Sequence, residues 1–206
     1  VAGAGRARVL EALAGRPSDP GPGGARSVPT SAGAVGVLAD FHSGLEAFLL
    51  TVPAAAADRF AGVLAGAVET AGAVELPEAA LEALRVEKGM PAWGRESAEG
   101  AFPQEVRLDA WVSHEKGCYL GQEMMARLRD RGHVNRVLVG LRLEADVAPG
   151  DPVESLDGET LGKITSVAPG LLALAFLKPA FATSGASYVV RAGARKVTAA
   201  YQELPL

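Results

Sequence analysis

After Gly132 the sequence falls into six short runs rich in valine, leucine and threonine: Val134–Leu143, Pro152–Leu156, Glu159–Val167, Leu171–Leu177, Ser187–Arg191 and Arg195–Tyr201. Aliphatic and β-branched side chains suit strands because they pack well on a pleated, half-buried surface. Turn residues separate the runs, and Asp157-Gly158 between the second and third favours the positive φ angles of a tight hairpin. Six strands in about 70 residues point to a small closed antiparallel barrel, since closure removes exposed edges.

Before Gly132 the pattern is different. Val9-Leu10-Glu11-Ala12-Leu13 reads as a helix already in progress at the start of the chain, so a preceding segment is expected to be missing. Gly15 to Gly33 is crowded with Gly, Pro and Ser, which suit neither helix nor strand interiors, and reads as a mobile loop. Val35–Phe41 and Leu45–Val52 are expected to form a hairpin. From Ala54 to Ala71, Phe60, Val63, Leu64 and Val68 recur at helical spacing behind Pro53. A second helix is expected from Pro77 to Leu84, with Glu78 and Glu82 in early turns where the helix dipole favours acidic groups. Helices on a small antiparallel sheet give an α+β region. The boundary with the barrel is expected near Gly132.

Composition narrows the functional classes. The 206 residues are 49% hydrophobic and 21% charged, an ordinary globular balance with no apolar run near the roughly 20 residues of a membrane span. A net charge of −4 argues against a general nucleic-acid binder, which needs a surplus of Lys and Arg to neutralise phosphates. The single cysteine, Cys118, excludes an internal disulfide framework and a multi-cysteine metal cage. With no secretory segment in view, a reducing cytoplasm is the expected compartment.

The densest stretch of chemistry-bearing residues is Glu115 to Arg136. A lone cysteine can be a small buried apolar residue. Here, however, Lys116 lies two residues away and Gly117 and Gly121 let the backbone turn beside the sulfur, features that favour a reactive thiolate. His114 and His133 have no metal-ligand spacing to Cys118, so no metal site is expected. Arg127, Arg129, Arg131 and Arg136 read equally as a solvated face or as guanidinium forks for carboxylates or phosphates. In Phe102-Pro103-Gln104-Glu105, Glu105 is either a surface residue or a bidentate acceptor for the paired N–H donors of a pterin edge.

Lys116-Gly117-Cys118-Tyr119-Leu120-Gly121-Gln122-Glu123 resembles the K-G-C-[YF]-x-G-Q-E signature of the YgfZ family, relatives of the glycine cleavage T-protein. The likeness continues through Met124-Met125-Ala126-Arg127 and Arg131-Gly132 to Arg136. Upstream, Leu84–Pro91 is similar to the R-x-E-x-G-x-P segment shared with T-proteins, and Pro103-Gln104-Glu105 to the family's P-x-E turn; downstream, Gly162-Lys163-Ile164-Thr165-Ser166 is similar to its G-x-[IV]-T-S strand. The resemblance implies an α+β fold: a ferredoxin-like α/β-sandwich portion at 1–132, part of a folate-binding domain, followed by a C-terminal antiparallel β-barrel at 133–206. The family's opening region, which helps build its folate site, is absent by this likeness, and the site is expected to be incomplete. In the family, three domains ring a folate-binding hole.

By the same resemblance Cys118 and Lys116 are the functional centre. Tyr119, Gly121, Gln122, Glu123 and Arg127 shape it, and Glu105 is the candidate pterin anchor. The implied ligand is tetrahydrofolate or another folate, and the implied partners are iron–sulfur client proteins or cluster-assembly factors, with neither membrane nor nucleic acid expected. The implied role is an accessory one in assembling or maintaining iron–sulfur clusters. An aminomethyltransferase and a module that docks a partner through its arginines are the alternatives, and a true aminomethyltransferase is disfavoured because T-proteins lack the K-G-C-Y-x-G-Q-E segment.

Overall fold

The computed structural model describes residues 1–40 and 46–205, the side chains of Asp40 and Arg131 excepted. Contacts divide the chain into two compact units, Val1–Glu78 and Ala79–Leu206.

In the first unit, α1 (Arg6–Ala14) and α2 (Ala57–Thr70) lie on an antiparallel sheet of β1 (Ala25–Thr30), β2 (Gly33–Asp40) and β3 (Ala47–Thr51), in the order β1-β2-β3. Val9, Leu10 and Leu13 share one face of α1 and meet Val28, Val35, Val37 and Phe48 of the sheet and Phe60 of α2. Those spacings are the helical and strand periods that place apolar side chains on one side of each element.

Three expectations change between the start of the chain and the end of the second expected helix. The helix begins at Arg6, because residues before it run along β3: Val1 bonds through both N and O to Phe48. The stretch read as a mobile loop contains β1, whose Pro29 is tolerated because β1 is an edge strand and the missing N–H is not needed in the sheet interior. The second helix begins one residue later and runs three further than expected, as α3 (Glu78–Glu87). The expected hairpin pairs as β2 with β3, Leu38 opposite Leu49; its Phe41 and Leu45 fall outside the described residues.

The second unit holds α3 beyond its first residue, an irregular segment, α4 (Gln122–Arg131), and a closed barrel. The barrel strands are β4 (Val137–Leu143), β5 (Pro152–Glu154), β6 (Thr160–Ala168), β7 (Leu172–Leu177), β8 (Ser187–Ala192) and β9 (Arg195–Gln202), in the order β4-β7-β6-β5-β8-β9. The β4–β9 pairing closes the ring, Leu141 facing Tyr201. Alternate residues such as Val139, Leu141, Ala173, Ala175, Leu177, Val190 and Val197 fill the inside. At Gly162 a Cβ would lie 1.7 Å from the Phe176 carbonyl oxygen, so only glycine allows this approach.

Every residue of β7 is buried, on both faces. Its inward residues fill the barrel, while Leu174 and Phe176 pack outside it, with Leu138, against Val86 and Val106. This is the physical reason that the contact boundary falls at Glu78/Ala79, whereas the composition changes at Gly132: residues 79–108 cover the outer wall of the barrel. A buried polar cluster fixes them there. Arg85 donates to Glu82 and Glu96 and, at 2.6 Å, to Ser166 Oγ; Ser166 in turn donates to Glu96 at 2.7 Å. Glu96 is 1% exposed, and its carboxylate also accepts the Ala92 N–H, so the buried charge has the partners it needs.

Candidate functional site

The stretch around Cys118 is an exposed loop that ends in a helix. A single helical turn at Asp109–Trp111 leads into it. Ser113 Oγ then accepts the Lys116 N–H at 3.2 Å, a local side-chain bond that turns the chain without regular structure. The Lys116 ammonium stands 4.8 Å from the centroid of the Tyr119 ring, within cation–π range. Between them Cys118 is exposed, which removes the reading of this cysteine as a buried packing residue.

Gly121 has φ +89° and caps α4 at its N-terminus. No L side chain adopts that backbone without strain, so a glycine is required for the loop to turn into the helix. The Tyr119 carbonyl accepts the Gln122 N–H and the Gly121 carbonyl accepts the Met125 N–H. Met125 is the buried anchor of the helix. On its open face Arg127 pairs with Glu123 at 2.6 Å, one turn apart, and Arg129 with the adjacent Asp130, whose carboxyl the Arg129 hydrogen bond holds below the usual range. Pairs this exposed contribute little to stability.

A cleft of about 570 Å³ is lined by residues 119–124 and Arg127. It brings together Tyr119, Gly121, Gln122, Glu123 and Arg127, five of the residues singled out in the sequence. Lys116 adjoins it through the Tyr119 ring. Leu120 and Met124 border it as exposed apolar side chains.

Glu105 is placed elsewhere, against the barrel. It is a buried carboxylate, contrary to its reading as a surface residue, and its Oε2 accepts Arg136 Nε at 3.0 Å. Arg136 lies 4.4 Å from the centroid of Phe176, and the Glu105 carbonyl accepts the N–H of Leu138 in β4. The arginines therefore divide: Arg127 and Arg129 make an exposed helix face, whereas Arg136 is tied to the barrel. Sequence reasoning missed Glu96, the most deeply buried carboxylate in this unit. No local pattern marks it, because its partners Arg85 and Ser166 lie 11 and 70 positions away.

An exposed thiol on a glycine-flanked turn can act as a nucleophile or as a soft ligand shared with a partner. Among the described residues no group of three or more His, Cys, Asp or Glu is arranged to hold a metal ion. Among the described residues, too, no helix is long and apolar enough to cross a membrane.

No family profile matches the chain. An aminomethyltransferase of Herpetosiphon aurantiacus is 30% identical over 160 residues, covering 77% of this chain and 41% of the relative. The tRNA-modifying protein YgfZ of Edwardsiella ictaluri is 42% identical over 69 residues, covering 32% of this chain and 21% of that protein. The chain is a relative of the YgfZ and aminomethyltransferase proteins. Its fold is also that of a solved structure, the glycine cleavage system aminomethyltransferase T from Bartonella henselae, with a TM-score of 0.70 at 20% identity over 83% of this chain and 49% of that one. The chain spans less than half the length of the curated relatives it matches.

Proposed function

We propose that this chain is part of a tetrahydrofolate-binding accessory protein of the YgfZ type, which supports the assembly or maintenance of iron–sulfur clusters in other enzymes in the cytoplasm. The observation that carries the reading is the exposed Cys118 on the turn that opens into the cleft at 119–127. One sulfur cannot retain a cluster, so Cys118 acts transiently, sharing its ligand or its redox change with a client protein or assembly factor.

The cleft has the chemistry a folate needs. The Tyr119 ring offers a stacking surface, the Gln122 amide and the turn at Gly121 offer donors and acceptors, and the Arg127 fork suits a glutamate-tail carboxylate once it leaves Glu123. Tetrahydrofolate, when bound, supplies one-carbon or reducing chemistry beside the thiol. Lys116 and Glu123 set the local charge around it. Glu105 joins such a site as a pterin anchor only if it exchanges its bond to Arg136.

In the full-length protein, Cys118→Ala should lower the activity of client iron–sulfur enzymes in cells while tetrahydrofolate binding at micromolar concentrations persists. Unchanged client activity would sink the cluster role, and absent folate binding would favour a docking module instead. An aminomethyltransferase is the second reading, favoured by the longer stretch of this chain that matches those proteins. Formation of methylene-tetrahydrofolate from an aminomethylated carrier protein decides between them: turnover supports the enzyme.

A further inference from the structure

On the outer wall of the barrel, three cationic side chains in or beside three adjoining strands line a cleft of about 260 Å³. Arg136 precedes β4, Lys163 lies in β6 and Lys178 follows β7; Lys163 is paired directly across from Phe176, and the Lys178 N–H bonds to the Leu161 carbonyl at 2.9 Å. Phe176, which packs outside the barrel, supplies the apolar floor, and Asn135 borders the cleft. We propose that this cleft binds a small phosphate-bearing molecule, either free phosphate or a compact phosphomonoester.

The donors are available for it. Among the described residues the Lys163 ammonium has no hydrogen-bond or ion-pair partner. Lys178 is held only by Glu159 at 2.6 Å, with both side chains about half exposed, a surface pair that exchanges readily. Arg136 gives Nε and Nη2 to Glu105 Oε2, which fixes the guanidinium over Phe176 and leaves Nη1 for a further acceptor. A positioned arginine is a better anion receptor than a mobile one, because less rotamer freedom is lost on binding.

Phosphate is favoured over carboxylate by oxygen count. Two ammonium groups and one guanidinium approach from three strands, and the three terminal oxygens of a monoester meet them at once, whereas a carboxylate has two. The volume lies just below the roughly 300–1,000 Å³ of drug-sized sites, so a compact ester fits. The whole of a folate does not, and this cleft is therefore separate from the one at 119–127.

The test is a titration of the 206-residue chain with phenyl phosphate and, separately, inorganic phosphate, followed by NMR shifts of backbone amides at 161–163 and 176–178. Saturable binding is expected, weakened about tenfold in Lys163→Gln, as expected for losing one charge-assisted contact, and retained in Lys163→Arg. Lys178→Gln, which also removes the surface pair with Glu159, provides a second variant should the first perturb folding. Tighter binding of phenyl phosphate assigns a monoester that uses the apolar floor, and equal affinities assign free phosphate. Absence of saturation by 10 mM, an order-of-magnitude ceiling for a specific anion site, or binding unmoved by either substitution overturns the proposal. So would an RNA oligonucleotide that bound through these lysines while neither small phosphate did.

Discussion

The barrel and the Cys118 loop meet in the same compact unit and are built by opposite means. In the barrel, strands satisfy one another's backbone groups all the way round, β7 is buried on both faces, and Arg85, Glu96 and Ser166 fasten the outer layer to the wall. From Val112 to Leu120 there is no regular structure; Tyr119 is only half-buried, Cys118 is exposed, and its visible organisers are one serine bond, one cation–π contact and the conformation of Gly121. A scaffold that tolerates little change carries a segment that tolerates much, the usual division between what holds a fold and what meets a ligand. Substitutions should separate the two.

Both tryptophans, Trp93 and Trp111, lie in the second unit, so their fluorescence in urea follows unfolding of that unit. The largest effect is expected for Gly162→Ala, because the new Cβ meets backbone rather than a movable side chain; the loss should exceed about 4 kcal/mol and show as missing amide-exchange protection in β6 and β7. Arg85→Ala should come next at about 3–5 kcal/mol, since it strands the buried Glu96 carboxylate; a loss under 1 kcal/mol, the order expected of surface pairs, would show that the cluster does not fasten the outer layer. Gly121→Ala should cost about 1–3 kcal/mol through left-handed backbone strain, with its exchange changes confined to the loop and α4 rather than the barrel.

Acid should act on the scaffold before the loop. The hydrogen bond from Arg85, with Arg95 beside it, holds the Glu82 carboxyl below its ordinary value despite partial burial. A depressed folded pKa stabilises at pH values above the unfolded pKa, and that contribution is lost as pH falls below about 4.3 toward the folded value. Thermal melts from pH 7 downward should therefore lose stability in that window, and Glu82→Gln should flatten the loss; an unchanged slope would remove Glu82 from the account. The smallest effect is expected for Cys118→Ala, within about 0.5 kcal/mol of the parent, because the side chain packs against little. A larger loss would mean that the thiol is structural.

The same contrast decides what could be read in advance. The barrel strands were legible almost residue by residue, as in Arg195–Tyr201 against β9 at Arg195–Gln202, because burial imposes period-two patterning and turn chemistry marks each end. α4 left no such trace: Met125 is its buried anchor, and a helix that buries so little of its surface shows no apolar stripe. β1 was hidden by its proline. The residues of the 119–127 cleft were found through family likeness rather than periodicity, while the burial of Glu96 and Glu105 depends on partners 70 and 31 positions away, Ser166 and Arg136. Tertiary pairing of that kind is invisible to any local window.

Ring closure through β4 and β9 also sets an order of events during synthesis. β4 is the first barrel strand to leave the ribosome and β9 the last, and Arg107, far upstream, reaches both the Leu138 carbonyl and the Tyr201 hydroxyl. Hairpins β6–β7 and β8–β9 can form as they emerge, but the seam waits for the final strand. Until then β4 presents an unpaired edge to solvent, and a translational pause before residue 195 would lengthen the interval in which a nascent chain needs a chaperone's cover.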